Sequence, residues 1–356
     1  MLDDAKTYER LDPGDVHSLL HDFDKQFIQA RELAESAEYN LINTSEVRQI
    51  VVAGMGGSAI GADLLKCYTL YDMRRPFFVN RDYLLPGFVD KNTLVVLSSY
   101  SGNTEETIQA LEAAKYLKAQ MFAITSGGQL ANFAQDLNFG ILEIPSGLPP
   151  RSALGFSFVP LVVLCELWGF IPKQDEALDA TQVALHKGAM KLEKNVAEKD
   201  NAAKKLARKL HGKLPLIYSS PRFEAAATRF RGQINENAKM LAYSAVIPEM
   251  NHNELVGWKY LYEFGKFIQP IFLMDKGDHP KNLYRMKFVA DVMKEFGLEP
   301  IFLESPQPDA PFMARMFELI QLGDFTSYYL AILNNEDPKP VHIIDKLKAA
   351  LSAFKG

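Results

Sequence analysis

Cysteine, tryptophan and net charge are all scarce in this chain of 356 residues, which holds two cysteines, two tryptophans and a formal net charge of −5. Cys67 and Cys165 form no C-x-x-C pair and have no histidine at metal-ligand spacing. That pattern excludes a disulfide scaffold, a zinc knuckle and a redox dithiol. Both cysteines read as buried, reduced and structural, in a cytoplasmic protein. The small negative charge leaves no electrostatic footprint for nucleic acid. The seven histidines include no H-E-x-x-H or comparable metal spacing. No apolar run approaches the ~18 residues needed to span a membrane. The opening MLDDAKTYERLD is charged and lacks the apolar core of a signal peptide. No Gly-Lys-Ser/Thr is present, so a Walker A loop is ruled out. The expectation is a protein without metal, nucleic-acid partner or membrane span.

What is present is an ordinary globular composition, 47% hydrophobic and 23% charged, with length for about two domains. The stretch QIVVAGMGGSAIGADLL at 49–65 organises the chain. Its apolar, β-branched start reads as a buried parallel strand, its glycines as a tight turn, and residues 59–65 as a helix. Such a turn exposes backbone N–H groups at a helix N-terminus, where an anion is favoured. Gly54, Gly56 and Gly61 resemble a dinucleotide fingerprint, but the third glycine falls two positions late.

Further strands are expected at 76–80, 93–98, 120–125 and 138–144, alternating with helices, and their βα turns are rich in glycine and serine. A second α/β pattern follows, with strands at 214–219, 243–248, 267–274 and 300–304 and helices at 223–237, 281–296 and 310–332. The fold class is therefore α/β, two doubly wound domains, each a parallel sheet flanked by helices. The two halves look like a distant duplication, although no direct repeat is visible. The organisation is an N-terminal helical arm at 1–44, a first domain at 45–168, a helical connection at 169–210, a second domain at 211–336 and a C-terminal helix at 337–356. Within these, 15–41 has one helical period and packs on the first domain. Residues 153–168 form an apolar helix, and lysine-rich 184–210 reads as one helix with a solvated face.

Gly57 and Ser58 on the first turn, with Ser99, Ser101 and Thr104 on the turn after the third strand, make a candidate phosphate cradle. Both turns lie at strand C-termini, where open α/β sheets bind ligands. No lysine sits in either turn, so hydroxyls and amides suit a compact monophosphate. The bland alternative is a set of helix caps with no ligand.

GMGGSAIGADLL, SSYSGNTEET, PPRSALGFSF, INENAKMLAYS and MNHNELVGW, in that order, resemble the bifunctional phosphoglucose/phosphomannose isomerases of the sugar isomerase (SIS) domain superfamily. The resemblance runs from about residue 45 to the C-terminus. It implies two SIS domains in a homodimer, with the active site in a cleft between domains and no cofactor. It places the substrate phosphate on Gly57, Ser58, Ser99, Ser101 and Thr104. Glu236 becomes the base that moves a proton between C1 and C2, a task that suits a carboxylate raised towards neutrality by burial. His252 becomes the ring-opening residue, reaching the site of the other subunit; Glu254 has the position either to orient it or to be a surface acid. Arg151 stabilises the enediolate with fixed donors. A C-terminal lysine assists at the ring oxygen. Lys346 and Lys348 compete, and Lys348 lies nearer the edge of the Ile344, Leu347, Leu351 and Phe354 stripe.

The implied reaction converts glucose 6-phosphate, and by the same resemblance mannose 6-phosphate, to fructose 6-phosphate through a cis-enediol. The small polar residue that makes room for the mannose epimer in some relatives is not aligned here. Two other readings stay open: a sugar-phosphate sensor that binds without converting, and an amino-sugar phosphate isomerase.

Overall fold

The computed structural model describes residues 1–37, 39–260 and 262–354. Residues 38, 261, 355 and 356, which fall in the expected arm, second domain and C-terminal helix, lie outside the described residues.

Two parallel sheets organise the molecule. The first comprises β1 (Gln49–Ala53), β2 (Phe77–Asn80), β3 (Thr93–Ser99), β4 (Gln120–Thr125) and β5 (Gly140–Glu143), in the order β2-β1-β3-β4-β5. The second comprises β6 (Leu214–Ser219), β7 (Tyr243–Val246), β8 (Ile268–Met274) and β9 (Ile301–Glu304), in the order β7-β6-β8-β9. All pairings are parallel. In such orders the chain reverses direction across the sheet between β1 and β3, and again between β6 and β8. These are the switch points where open α/β sheets leave a crevice.

Alternation along the strands explains why both sheets are covered on both faces. Ile50, Val52, Leu94, Val96, Phe122 and Ile124 join one core, while Val51, Ala53, Val95, Leu97 and Ala123 join another behind the sheet. In the second sheet Ile217, Ile271 and Leu273 enter that same first core, and Tyr218, Phe272 and Met274 face a third. The sheets therefore share a helical layer. Its members are Leu154–Leu167, Glu224–Ala238 and Phe312–Leu333. Leu154–Leu167 and Phe312–Leu333 are buried on nearly every side, as their lack of a polar face requires.

The N-terminal arm differs from the single helix expected at 15–41. It consists of Ala5–Leu11, Val16–His21 and Phe23–Glu35. Asp22 is the C-cap of one helix and the N-cap of the next. The arm also reaches past the first domain. Phe27 packs edge-on against Phe317 at 4.9 Å, and Phe158 lies 4.8 Å from Phe317. Truncating Phe317 to alanine would cost about 3–5 kcal/mol.

The lysine-rich helix at 184–210 is two helices, Asp175–Leu192 and Ala202–Leu210. Its face is not wholly solvated. Lys204 is fully buried, and its Nζ donates to Asp3 Oδ1 (3.0 Å), Lys194 O (2.8 Å) and Val196 O (2.8 Å). Both cysteines are buried and unpaired, and burial pushes their thiols up to about 11 for Cys67 and about 12 for Cys165. No described helix is long and apolar enough to cross a membrane.

Candidate active site

The two glycine turns stand at the first switch point. Ser58 lies in the first turn of the helix Gly56–Tyr68 and is buried; its Oγ accepts the Tyr100 backbone N–H at 2.9 Å. Ser98 Oγ donates to Ser58 O at 3.0 Å. The turn after β1 is thus bonded to the turn after β3. Ser99 is buried and its Oγ lies 2.8 Å from Thr104 Oγ1, while Ser101 is exposed. Thr104 is the N-cap of Glu105–Tyr116, yet its side chain makes no capping bond, and Met55 at the N-cap of Gly56–Tyr68 makes none either. Neither N-cap side chain is spent on its own helix, which leaves both helix N-termini open to an anion. Gly102 has φ +68°, and a Cβ there would lie 1.7 Å from Gly127 O, so only glycine fits this turn.

Arg151 is brought to the same place by backbone contact. A Cβ on Gly57 would lie 2.5 Å from Pro150 O and 3.0 Å from Arg151 N. Tyr100 ties in the preceding loop: its hydroxyl donates to Pro145 O and accepts from Leu148 N, each at 2.9 Å. Neither contact is legible from spacing, because each joins residues more than forty positions apart.

The Arg151 side chain is nearly buried and mostly committed. Its Nε donates to Asn237 Oδ1 (2.8 Å), and its Nη2 donates to Pro338 O (2.8 Å) and Lys339 O (2.7 Å). A guanidinium has five N–H donors, so the fold takes three and leaves the two on Nη1. Nη1 lies 3.5 Å from Glu236 Oε2. Burial lowers the Arg151 pKa, with Glu236 opposing and Arg229 adding to the fall; the group still remains charged.

Glu236 sits in the last turn of Glu224–Ala238, and its side chain is 36% exposed, less buried than the sequence reading wants for a base. Its neighbour Asn237 is buried and also donates to Ser327 Oγ at 2.9 Å. Arg229, paired with Asp324 at 2.7 Å, donates to Arg151 O at 3.0 Å. Lys239 closes the helix and donates to Glu236 O at 2.7 Å; burial and the nearby Arg151 lower its pKa. Asn237, Tyr100 and Arg229 are thus site residues that sequence reasoning did not single out. The polar triplet Asn235-Glu236-Asn237 ending the helix was the available signal.

His252 and the C-terminal lysines stand apart. His252 is exposed in the short turn Glu249–His252. Among the described residues no hydrogen bond or ion pair joins it to Glu236 or Arg151. Glu254 does not orient it: its carboxylate accepts the Tyr218 hydroxyl and, at 3.4 Å, that of Tyr243. Lys346 and Lys348 are both exposed on the helix His342–Ser352.

The second switch point is filled by the chain itself. Arg315 donates to both oxygens of Asp275 (2.6 and 2.9 Å), Arg222 approaches the same carboxylate at 3.5 Å, and Ser220 Oγ donates to Asp278 at 2.5 Å. Burial pushes Asp275 up, but the Arg315 bonds outweigh it and hold the carboxyl below its usual range.

Comparison with known proteins identifies the family. Residues 44–147 match the SIS domain family, and residues 199–351 match the bacterial phospho-glucose isomerase C-terminal SIS domain. The chain is 41% identical over 339 residues to a bifunctional phosphoglucose/phosphomannose isomerase of Caldicellulosiruptor bescii, covering 94% of this chain and 98% of the relative. It is 36% identical to the protein of that name from Aquifex aeolicus, covering 85% and 90%. A solved glucose-6-phosphate isomerase like protein from Thermus thermophilus shares the fold, with TM-score 0.64, 18% identity and coverage of 96% and 99%. With two SIS-type sheets and identity along nearly its whole length, the chain belongs to the bifunctional phosphoglucose/phosphomannose isomerase family.

Proposed function

We propose that the chain interconverts glucose 6-phosphate, and mannose 6-phosphate, with fructose 6-phosphate through a cis-enediol. The observation that carries this is the free Nη1 edge of Arg151, facing Glu236 beside two uncapped helix N-termini. Gly57, Ser58, Ser99, Ser101 and Thr104 hold the phosphate. Glu236 removes the proton from C2 of the aldose and returns it to C1. Negative charge growing on the enediolate meets Nη1 of Arg151, a donor already in place. The exposure of Glu236 fits a base that substrate itself covers.

His252 and one C-terminal lysine, Lys348 in preference to Lys346, open the ring. Their exposure on the surface of the chain supports delivery to the site of a second copy. The same reading explains the apolar surface nearby: Val256 is 81% exposed and Ile343 86%. A homodimer would cover it and complete the site. The division into arm, two SIS domains, helical connection and C-terminal helix follows the same plan, and the free cysteines suit the cytoplasm.

The test is a coupled assay with fructose 6-phosphate, glucose 6-phosphate, mannose 6-phosphate and glucosamine 6-phosphate. Turnover of the first three is expected. Glu236→Gln should lose about 10²–10⁴-fold in kcat while KM barely moves. Saturable binding without product would favour a sensor, and preference for glucosamine 6-phosphate an amino-sugar isomerase.

A further inference from the structure

The segment 334–340 joins the long helix Phe312–Leu333 to the C-terminal helix. Two of its carbonyls, Pro338 O and Lys339 O, take both hydrogens of Arg151 Nη2. Prolines at 338 and 340 bracket Lys339 and fix the backbone on either side of it. The segment is tied down inside by Asn334, whose Nδ2 donates to Ala238 O at 2.8 Å, and by Lys339 N bonding Asp337 Oδ1 at 2.8 Å.

It is also held from outside. Arg10 Nη2 donates to Asn335 Oδ1 at 2.7 Å. Asn335 itself adopts φ +59°, so its side chain leaves the helix end in a set direction. Gly14 lies against the Lys339 side chain, close enough that a Cβ would come within 2.3 Å of Cδ. The arm that supplies Arg10 and Gly14 is seated on the long helix, where Tyr328 donates to Asp12 Oδ2 at 3.0 Å while Asp12 caps Val16 and His17. Three layers therefore act in series: arm, strap, guanidinium.

We propose that residues 334–340 form a positioning strap for Arg151, and that the N-terminal arm, through Arg10, is the brace that keeps this strap in register. The strap does not touch substrate. It consumes the Nη2 donors, so the guanidinium cannot rotate and its Nη1 edge stays towards Glu236. This gives the arm a role beyond core packing, and it rests on the functional reading above. A guanidinium free to swing would lose its preorganisation towards the enediolate but would leave the phosphate turns untouched.

The variants are Pro338→Gly, which keeps the carbonyl but frees the backbone, Arg10→Ala, and Arg10→Lys as the conservative control. Two ligands divide the site. Inorganic phosphate reports the turns, and a five-carbon phosphorylated hydroxamate, planar and anionic like the enediolate, reports Arg151. Pro338→Gly is expected to lower kcat about tenfold and weaken the hydroxamate by the same factor, with KM and phosphate affinity within about twofold. Arg10→Ala should do the same about threefold, and Arg10→Lys should recover most of it.

The Arg151 Nε–H resonance, assigned by its loss in Arg151→Lys, gives a readout that needs no activity. It should be sharp in the wild type and broadened in Pro338→Gly. Equal losses of hydroxamate and phosphate affinity would make the strap merely structural and overturn the proposal. So would a Pro338→Gly variant with unchanged kcat and an unchanged Nε–H signal. If the wild type neither isomerises nor binds the hydroxamate, the functional reading fails, and the Nε–H signal alone still decides for or against the strap.

Discussion

Arg151→Lys separates charge from geometry at the site. The ammonium keeps the positive charge but has no fork, so it cannot serve Asn237 Oδ1, Pro338 O, Lys339 O and the substrate together. A buried acceptor left without a donor costs about 1–3 kcal/mol. Pro338 O keeps Lys239 Nζ at 3.5 Å, so the net loss of stability should be about 2–4 kcal/mol rather than the sum of three such costs. For a chain of this length that lowers the melting temperature by about 3–6 °C. The catalytic loss should be larger: removing a fixed donor to a developing oxyanion costs about 10²–10³ in kcat. The measurement is kcat and KM by the coupled assay, well below the variant's melting point, alongside calorimetry. KM should stay within about threefold, because the phosphate turns keep their own bonds. A variant with kcat within fivefold of wild type would refute the assignment of Arg151 to the enediolate.

Acid should destabilise the fold through His17. It is buried, its Nε2 accepts the Lys194 N–H at 3.0 Å, and burial, reinforced by Lys194 and His21, pushes its pKa down to about 4 from 6.5. The unfolded chain therefore takes up a proton between those values that the native state refuses. Stability is fully present above pH 6.5 and falls by about 3 kcal/mol as the pH drops to 4; urea midpoints should trace this slope, and His17→Gln should flatten it. If the chain is a homodimer in which His252 serves the partner's site, mixing His252→Ala with Glu236→Gln under conditions that exchange subunits should restore about a quarter of wild-type activity, since half the dimers are mixed and each has one intact site. No recovery after verified exchange would place both residues in one subunit's site. If the enediolate is held by Arg151 as proposed, activity should survive EDTA; loss reversed by zinc would count against that arrangement.

Local chemistry made the first sheet legible. Strand ends followed by Gly54-Met55-Gly56-Gly57 and Ser101-Gly102-Asn103-Thr104 announce βα turns, and the observed strands differ from expectation only at their ends. The arm was misread because its apolar period runs through Asp22, where one helix hands over to another without changing the buried face. Lys204 looked solvated because its partner Asp3 lies 201 positions away. The same holds at the site. Glu236 and Arg151 came from motif resemblance, but what aims Arg151 comes from residues 86 to 188 positions distant. Spacing carries no information about such contacts; only the closed fold does.

The ionic cluster at the second switch point has a consequence for stoichiometry. An incoming anion would have to displace the Asp275 carboxylate from two guanidinium groups that already hold it. If the first half takes the phosphate as proposed, titration with inorganic phosphate should saturate at one equivalent per chain. With the Asp275 cluster occupying its switch point, the second half has no open place for an anion between β6 and β8. It contributes instead from the flank of a helix, where Glu236 stands. On the proposed reading, two copies of one architecture become unlike parts of a single site, one receiving the phosphate and the other carrying Glu236.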